Sequence, residues 1–84
     1  MDETRNFDID IIEEENIYET LKEVCIALEE RGYNPINQIV GYLISGDPGY
    51  ISSYKDARKK IQTIDRTKIV EVLLENFRDR KWNI

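Results

Sequence analysis

The side chains that could do chemistry are few, and their types exclude most catalytic mechanisms. The 84 residues contain no histidine, and Cys25 is the only cysteine. Histidine is the commonest general base and the commonest transition-metal ligand. Cys25 stands among apolar residues of a predicted helix, where a thiol usually belongs to the core. We therefore predict no catalytic residue, no metal site and no cofactor, and we do not expect an enzyme.

A basic run, Arg58, Lys59 and Lys60, is the clearest candidate for contacts with phosphate or with a partner. Basic residues of this kind contact the phosphates of nucleic acids, so a nucleic-acid-binding regulator is one hypothesis for function. The other interpretation is a solvated helix face, which the nearby Asp56 and Asp65 and the net charge of -5 favour. The charge disfavours nucleic acid, and its binding stays the alternative hypothesis.

Thr4 lies in an acidic segment that shows no sustained helical period. We predict that residues 1–15 form a flexible acidic tail and residues 16–84 a helical domain. A kinase can reach a threonine in such a tail without unfolding a domain, and a phosphate would add about two negative charges. Thr4 is the only threonine or serine before Thr20, so we expect one phosphate in the tail at most. The alternative is an ordinary exposed threonine.

Apolar residues repeat at helical spacing and predict the elements that carry these residues. The first helix is predicted over 17–31. The second begins at Pro35, after the capping residue Asn34, and ends near Ser45 before Gly46.

Two further helices follow the turn at 46–49. For the third, Ser53 and Asp56 resemble a capping box, and for the fourth, Asp65 is the predicted N-cap of a helix that runs toward residue 84. No segment after residue 16 has the pattern of a strand, so the fold class is all-α, a compact bundle of about four short helices.

The second helix has no charged residue between Pro35 and Gly46, so most of its sides should be covered. A chain this small has few other elements to cover it. We therefore expect a homodimer whose interface includes this helix. The predicted interface residues are Ile36, Ile39, Val40, Tyr42, Leu43 and Ile44.

The apolar stretches fall far short of the roughly 20 residues that cross a bilayer. No charged leader precedes an apolar signal core. We therefore expect a cytoplasmic protein with no membrane insertion.

The stretch GYNPINQIVGYLISGDP, residues 32–48, resembles the signature block of the IreB family of small bacterial regulatory phosphoproteins. The similarity extends to Asp2-Glu3-Thr4 in the tail and to Ile69-Val70-Glu71 near the end. It implies a helical homodimer without catalytic activity. It also implies that a membrane Ser/Thr kinase with extracellular penicillin-binding-type repeats phosphorylates a tail threonine, which Thr4 matches.

The same resemblance implies a role in the cell-envelope stress response and in tolerance of β-lactams, cephalosporins among them. The protein would act there by binding a downstream protein that neither the residues nor the resemblance identifies. A regulator that binds proteins is therefore the leading hypothesis for function.

Overall fold

The structure is a computed structural model that describes the backbone of residues 7–80 and the side chains of residues 11–80. It contains α1 (Phe7–Glu30), α2 (Pro35–Ser45), α3 (Ala57–Gln62) and α4 (Arg66–Asp79). Single-turn 3₁₀ helices at Pro48–Tyr50 and Tyr54–Asp56 lie between α2 and α3. No strand occurs within residues 7–80, and the predicted all-α class is confirmed.

Helix α1 begins ten residues earlier than predicted, so residues 7–15 are helical. The alternation of Phe7, Ile9 and Ile11 suggested an extended segment, but it competes with the helix propensity of the run Glu13-Glu14-Glu15. Acidic residues are also favourable in the first turn of a helix, near the positive end of its dipole, and Asp8 and Asp10 stand there. The division of the chain into a tail and a helical domain otherwise stays a prediction.

Both ends of α2 follow the local signals in the sequence. The Asn34 side chain accepts a hydrogen bond from the backbone N–H of Asn37 at 3.1 Å, and Pro35 occupies the first helical position. Gly46 ends the helix in the left-handed conformation, with φ of 79°, and its N–H donates to the carbonyl of Tyr42. The predicted bounds of this helix are confirmed.

The predicted capping box before α3 is wrong. The Ser53 side chain makes no capping hydrogen bond, whereas Ser52 Oγ accepts one from the backbone N–H of Tyr54 at 3.1 Å. Lys55 and Asp56 then adopt positive φ angles of 49° and 61°, which residues other than glycine rarely do. The chain thus enters α3 through a tight left-handed turn, and Asp56, at the N-cap position of α3, makes no side-chain capping hydrogen bond.

Helix α4 begins after Asp65, whose side chain accepts a hydrogen bond from the backbone N–H of Thr67 at 2.8 Å. The predicted cap is therefore confirmed. The helix ends at Asp79.

The core is built on α1, which packs against α2, α3 and α4. The largest side chains with almost no exposed surface are Val24, Leu28, Ile51, Ile61 and Ile69. Ile51 comes from the connection between α2 and α3, and two side chains hold that connection in place. Arg58 Nε donates to the Ile51 carbonyl at 2.8 Å, and Gln38 Oε1 accepts from the Ser52 N–H at 2.9 Å.

Within the described residues, every helix is too short or too polar to span a bilayer.

Candidate protein-interaction surface

Helices α2 and α4 together present a surface of apolar side chains, which we call the apolar face. On α2, Ile44 is 80% exposed, and Ile36 and Val40 are also exposed. On α4, apolar residues recur at helical spacing along a second exposed stripe. The apolar face consists of Ile36, Val40, Leu43 and Ile44 from α2 with Val70, Leu73, Leu74 and Phe77 from α4.

The two stripes meet at a groove of about 150 Å³ whose lining is entirely apolar. Ile36, Val40 and Leu43 form one side, and Leu73 forms the other. Leu21 and Cys25 of α1 contribute to the same lining. Since a small monomeric protein seldom exposes a continuous apolar patch of this kind, the groove and its rims mark a binding surface.

Two residues predicted for the dimer interface are mostly buried within the protomer. Ile39 and Tyr42 are only 8% and 6% exposed and belong to its core. Ile39 also lines the groove, beside Ile36, Val40 and Leu43. Ile36, Val40, Leu43 and Ile44 lie on the apolar face, and the dimer interface itself stays a prediction.

The contribution of α4 was missed in the sequence. Its apolar residues repeat at the spacing of a packed helix, yet among the described residues of α4 only Ile69 and Val72 are buried. The signal that distinguishes them is the width of the apolar stripe. Val70, Leu73 and Phe77 form a second row beside Ile69 and Val72, wider than one neighbouring helix can cover.

Cys25 is half-buried beside the groove. Burial, helped by the negative charge of Glu29, raises the pKa of its thiol. A raised pKa keeps the thiol protonated and weakly nucleophilic at neutral pH. The position therefore has the properties of a packing residue rather than of a reactive cysteine.

Arg66 closes one end of the apolar face. Its Nη1 donates to the Leu43 carbonyl at 2.9 Å, which satisfies one of the free carbonyls at the C-terminal end of α2. The guanidinium also lies against Gly46, where an added Cβ would be 2.9 Å from Nη2. This contact fixes the start of α4 against the end of α2 and so sets the relative position of the two stripes.

The basic run lies on α3, close to acidic residues of α1. Lys60 Nζ is 3.4 Å from Glu23 Oε1, and Arg58 is half-buried with its Nε bound to the Ile51 carbonyl. Lys59 is exposed. Two of the three cationic groups therefore already contact other parts of the same molecule, and contacts of the run with phosphate or a partner stay a prediction.

Thr4 lies outside the described residues, three positions before the first residue of α1. The structure brings together five of the six predicted interface residues, on the apolar face or along its groove, and places the basic run on a different element.

A comparison with known protein families gives a match over almost the whole chain. The model of the IreB family, described as IreB regulatory phosphoprotein, matches residues 2–79 of the 84. The match includes Thr4, the apolar face and the basic run.

Proposed function

Since this family match leaves only a few residues uncovered, the chain belongs to the IreB family of regulatory phosphoproteins, and on that basis we propose that it regulates by binding other proteins and catalyses no reaction. Its proposed input is phosphorylation of Thr4 by a membrane Ser/Thr kinase with extracellular penicillin-binding-type repeats. Its proposed output is the cell-envelope stress response, including tolerance of β-lactams such as cephalosporins. The observation that carries the proposal is the match over residues 2–79, which includes Thr4.

Protein binding rather than catalysis is supported by the kind of surface that is exposed. The groove between α2 and α4 is lined by apolar side chains and one protonated thiol, which offer neither an acid nor a base to a substrate. Apolar side chains on rigid helices suit the centre of a protein interface.

We assign part of this surface to a second copy of the chain, as a homodimer. The apolar face joins two helices into one patch, and a two-fold axis through such a patch brings like residues of both copies together. Association would remove from water apolar surface of Ile44 and Phe77, which are 80% and 61% exposed in the protomer. A separate downstream protein would then bind outside the dimer contact.

The proposed kinase carries its repeats outside the cell, so its kinase domain and this substrate are assigned to the cytoplasm. The basic run contributes a proposed contact for a partner's acidic groups, with Lys59 as its most accessible member. Lys60 would join that contact by exchanging Glu23 for the partner. The alternative, a nucleic-acid-binding regulator, predicts a salt-dependent mobility shift with DNA or RNA. The absence of a shift at low salt would eliminate it.

The test of the phosphorylation step is intact mass spectrometry after incubation with the cognate kinase. The wild-type chain is compared with Thr4→Ala, and fragmentation locates any phosphate. One added phosphate, on Thr4 and absent from the variant, is the expected result. A phosphate at another residue, or none, would refute the proposed input.

A further inference from the structure

The Tyr50 ring packs against the backbone of α2 at Gly41. A Cβ added at Gly41 would lie 2.5 Å from Tyr50 Cδ1 and 2.9 Å from Tyr50 Cγ, well inside the distance at which non-bonded carbon atoms pack. Only glycine therefore lets the ring take this position. Glycine has a much lower helix propensity than alanine, yet Gly41 stands in the interior of α2. The position of the ring gives this glycine a structural reason.

The backbone on either side of Tyr50 is held by local hydrogen bonds and by burial. The Tyr50 N–H donates to the Asp47 carbonyl at 3.1 Å, and the Ile51 N–H donates to the Pro48 carbonyl at 3.0 Å. Asp47 Oδ1 also accepts from the Gly49 N–H at 2.8 Å. The side chain of Ile51 is fully buried. The ring thus projects from a fixed backbone, which lowers the entropy cost of binding through it.

Tyr50 nevertheless remains 52% exposed in the protomer. Tyrosine is enriched among the few residues that dominate the free energy of protein association. Its ring buries a large apolar area at a small cost in conformational entropy, and its hydroxyl tolerates a partly wet surrounding. The exposed half of this side chain therefore suits contact with a second molecule.

The ring also extends the apolar face around α2. Gly41 and Ile44 are three positions apart on one helix and so are neighbours on its surface. At about 100° per residue, Gly41 lies to one side of Ile44 and Leu43 to the other. Leu43 lines the groove toward α4, and Gly41 carries the Tyr50 ring. Helix α2 therefore stands in the middle of an exposed surface, with α4 on one side and Tyr50 on the other.

Charge favours a second copy of this chain as the occupant of that surface. The net charge of -5 makes two copies repel each other over most approaches. Helix α2 carries no charged residue, and Asp47 is the only one from Gly46 to Tyr54. Two copies can therefore approach through α2 and Tyr50 with the least repulsion. A strongly charged partner would find few groups of opposite sign there.

We propose that the Tyr50 ring of each copy packs against the other copy in the homodimer, and that Gly41 is the residue that positions it. This proposal rests on the homodimer proposed above and adds to its interface a residue outside the apolar face. A methyl group at position 41 should then weaken association by displacing the ring, although it favours the helix itself.

Sedimentation equilibrium of the full chain tests this through the dissociation constant of the dimer. Tyr50→Ala and Gly41→Ala should each raise that constant about tenfold or more. The double variant should stay within about threefold of Tyr50→Ala, because without the ring the added methyl group displaces nothing. Tyr50→Phe keeps the ring and should stay within about threefold of wild type. Tyr18→Ala is the matched control, since Tyr18 is 53% exposed on α1 outside the apolar face.

Each contrary outcome has a distinct meaning. Tyr50→Ala dimerising like Tyr18→Ala, or Tyr50→Phe as weak as Tyr50→Ala, would overturn packing of the ring and leave the homodimer. Gly41→Ala weakening the dimer equally with and without the ring would overturn the role of Gly41. So would loss of its helical circular dichroism signal, because the contact would then serve the fold. A wild-type protein that is monomeric at micromolar concentration would refute the homodimer and this proposal together.

Discussion

At the scale of single residues, the C-terminal end of α1 is tied to the left-handed turn before α3 by a small polar cluster. Lys55 Nζ lies 2.8 Å from Glu30 Oε1. The Tyr54 ring has the Arg31 guanidinium and the Lys55 ammonium at 5.2 Å and 5.7 Å from its centre. These contacts accompany the positive φ of Lys55, a conformation that a lysine rarely adopts without support from its surroundings.

Substitution Lys55→Met should raise the pKa of Glu30. The hydrogen bond from Lys55, and then its charge, lower the pKa of this carboxyl in the wild-type protein. Methionine retains an unbranched side chain but supplies neither effect. NMR titration of the Glu30 carboxyl carbon in both proteins measures the shift. Lys59→Met is the control. An equal pKa of Glu30 in Lys55→Met and in wild type would contradict the effect assigned to Lys55.

The same pair predicts the pH dependence of stability. The pKa of Glu30 is lower in the folded state, so its contribution is present above the unfolded pKa and is lost as pH falls through the folded pKa. The pKa of Lys55 is raised, chiefly by its hydrogen bond to Glu30, so its contribution is lost as pH rises through its folded pKa. The difference in the free energy of unfolding between wild type and Lys55→Met should therefore be small at neutral pH and vanish in acid and in strong alkali.

At the scale of elements, local signals predicted helix ends well where a residue forms a hydrogen bond with backbone groups only a few positions away. Asn34, Gly46 and Asp65 each satisfy groups within a few residues, so their roles are readable from the sequence. The start of α1 was not predicted, because the apolar residues at its beginning alternate as they would in an extended segment. The turn before α3 was not predicted either, since its positive φ angles fall on Lys55 and Asp56 rather than on a glycine.

Ser52→Ala and Ser53→Ala should distinguish the hydrogen bond that Ser52 accepts from the capping hydrogen bond that was predicted for Ser53. Ser52→Ala removes the acceptor for the Tyr54 N–H at a half-buried position, and the free energy of unfolding should fall by about 1 kcal/mol. Ser53→Ala should change it by less than about 0.5 kcal/mol, because the Ser53 side chain caps nothing. Urea unfolding monitored by circular dichroism measures both. The reverse order would restore the capping box at Ser53.

At the scale of the whole molecule, the sequence predicted an apolar surface on α2 but not its extent. The absence of charge in α2 predicts that much of this helix is covered, but not which side meets the protomer's own core. That depends on how α2 packs, which turns Ile39 and Tyr42 inward and leaves Ile36 and Ile44 outside. The α4 half of the apolar face was missed for the same reason, since helical spacing identifies an apolar side and tertiary packing decides what covers it.

Ile44→Asp and Ile39→Asp should therefore fail in different ways. Ile44 is exposed on the apolar face, so Ile44→Asp should remain helical and raise the dissociation constant of the dimer about 100-fold or more. Ile39→Asp places a charge in the protomer core and should unfold the chain. Sedimentation velocity and circular dichroism distinguish these outcomes.

The matched control is Ile26→Asp, because Ile26 is exposed on α1 outside the apolar face. It should dimerise as the wild type does. A wild-type protein that sediments as a monomer at micromolar concentration, or an Ile44→Asp protein that dimerises normally, would remove the proposed interface.

The central position of α1 also has a consequence for biosynthesis. This helix precedes α2, α3 and α4 along the chain, and all three pack on it. Ribosomes add about 5–20 residues per second, so α1 emerges seconds before the last of its partners. During that interval its apolar residues Ile17, Leu21, Val24 and Leu28 have nothing to pack against, while its many carboxylates keep the nascent segment soluble. The helix on which the fold is built is synthesised before the others but completes its packing only when α4 has left the ribosome.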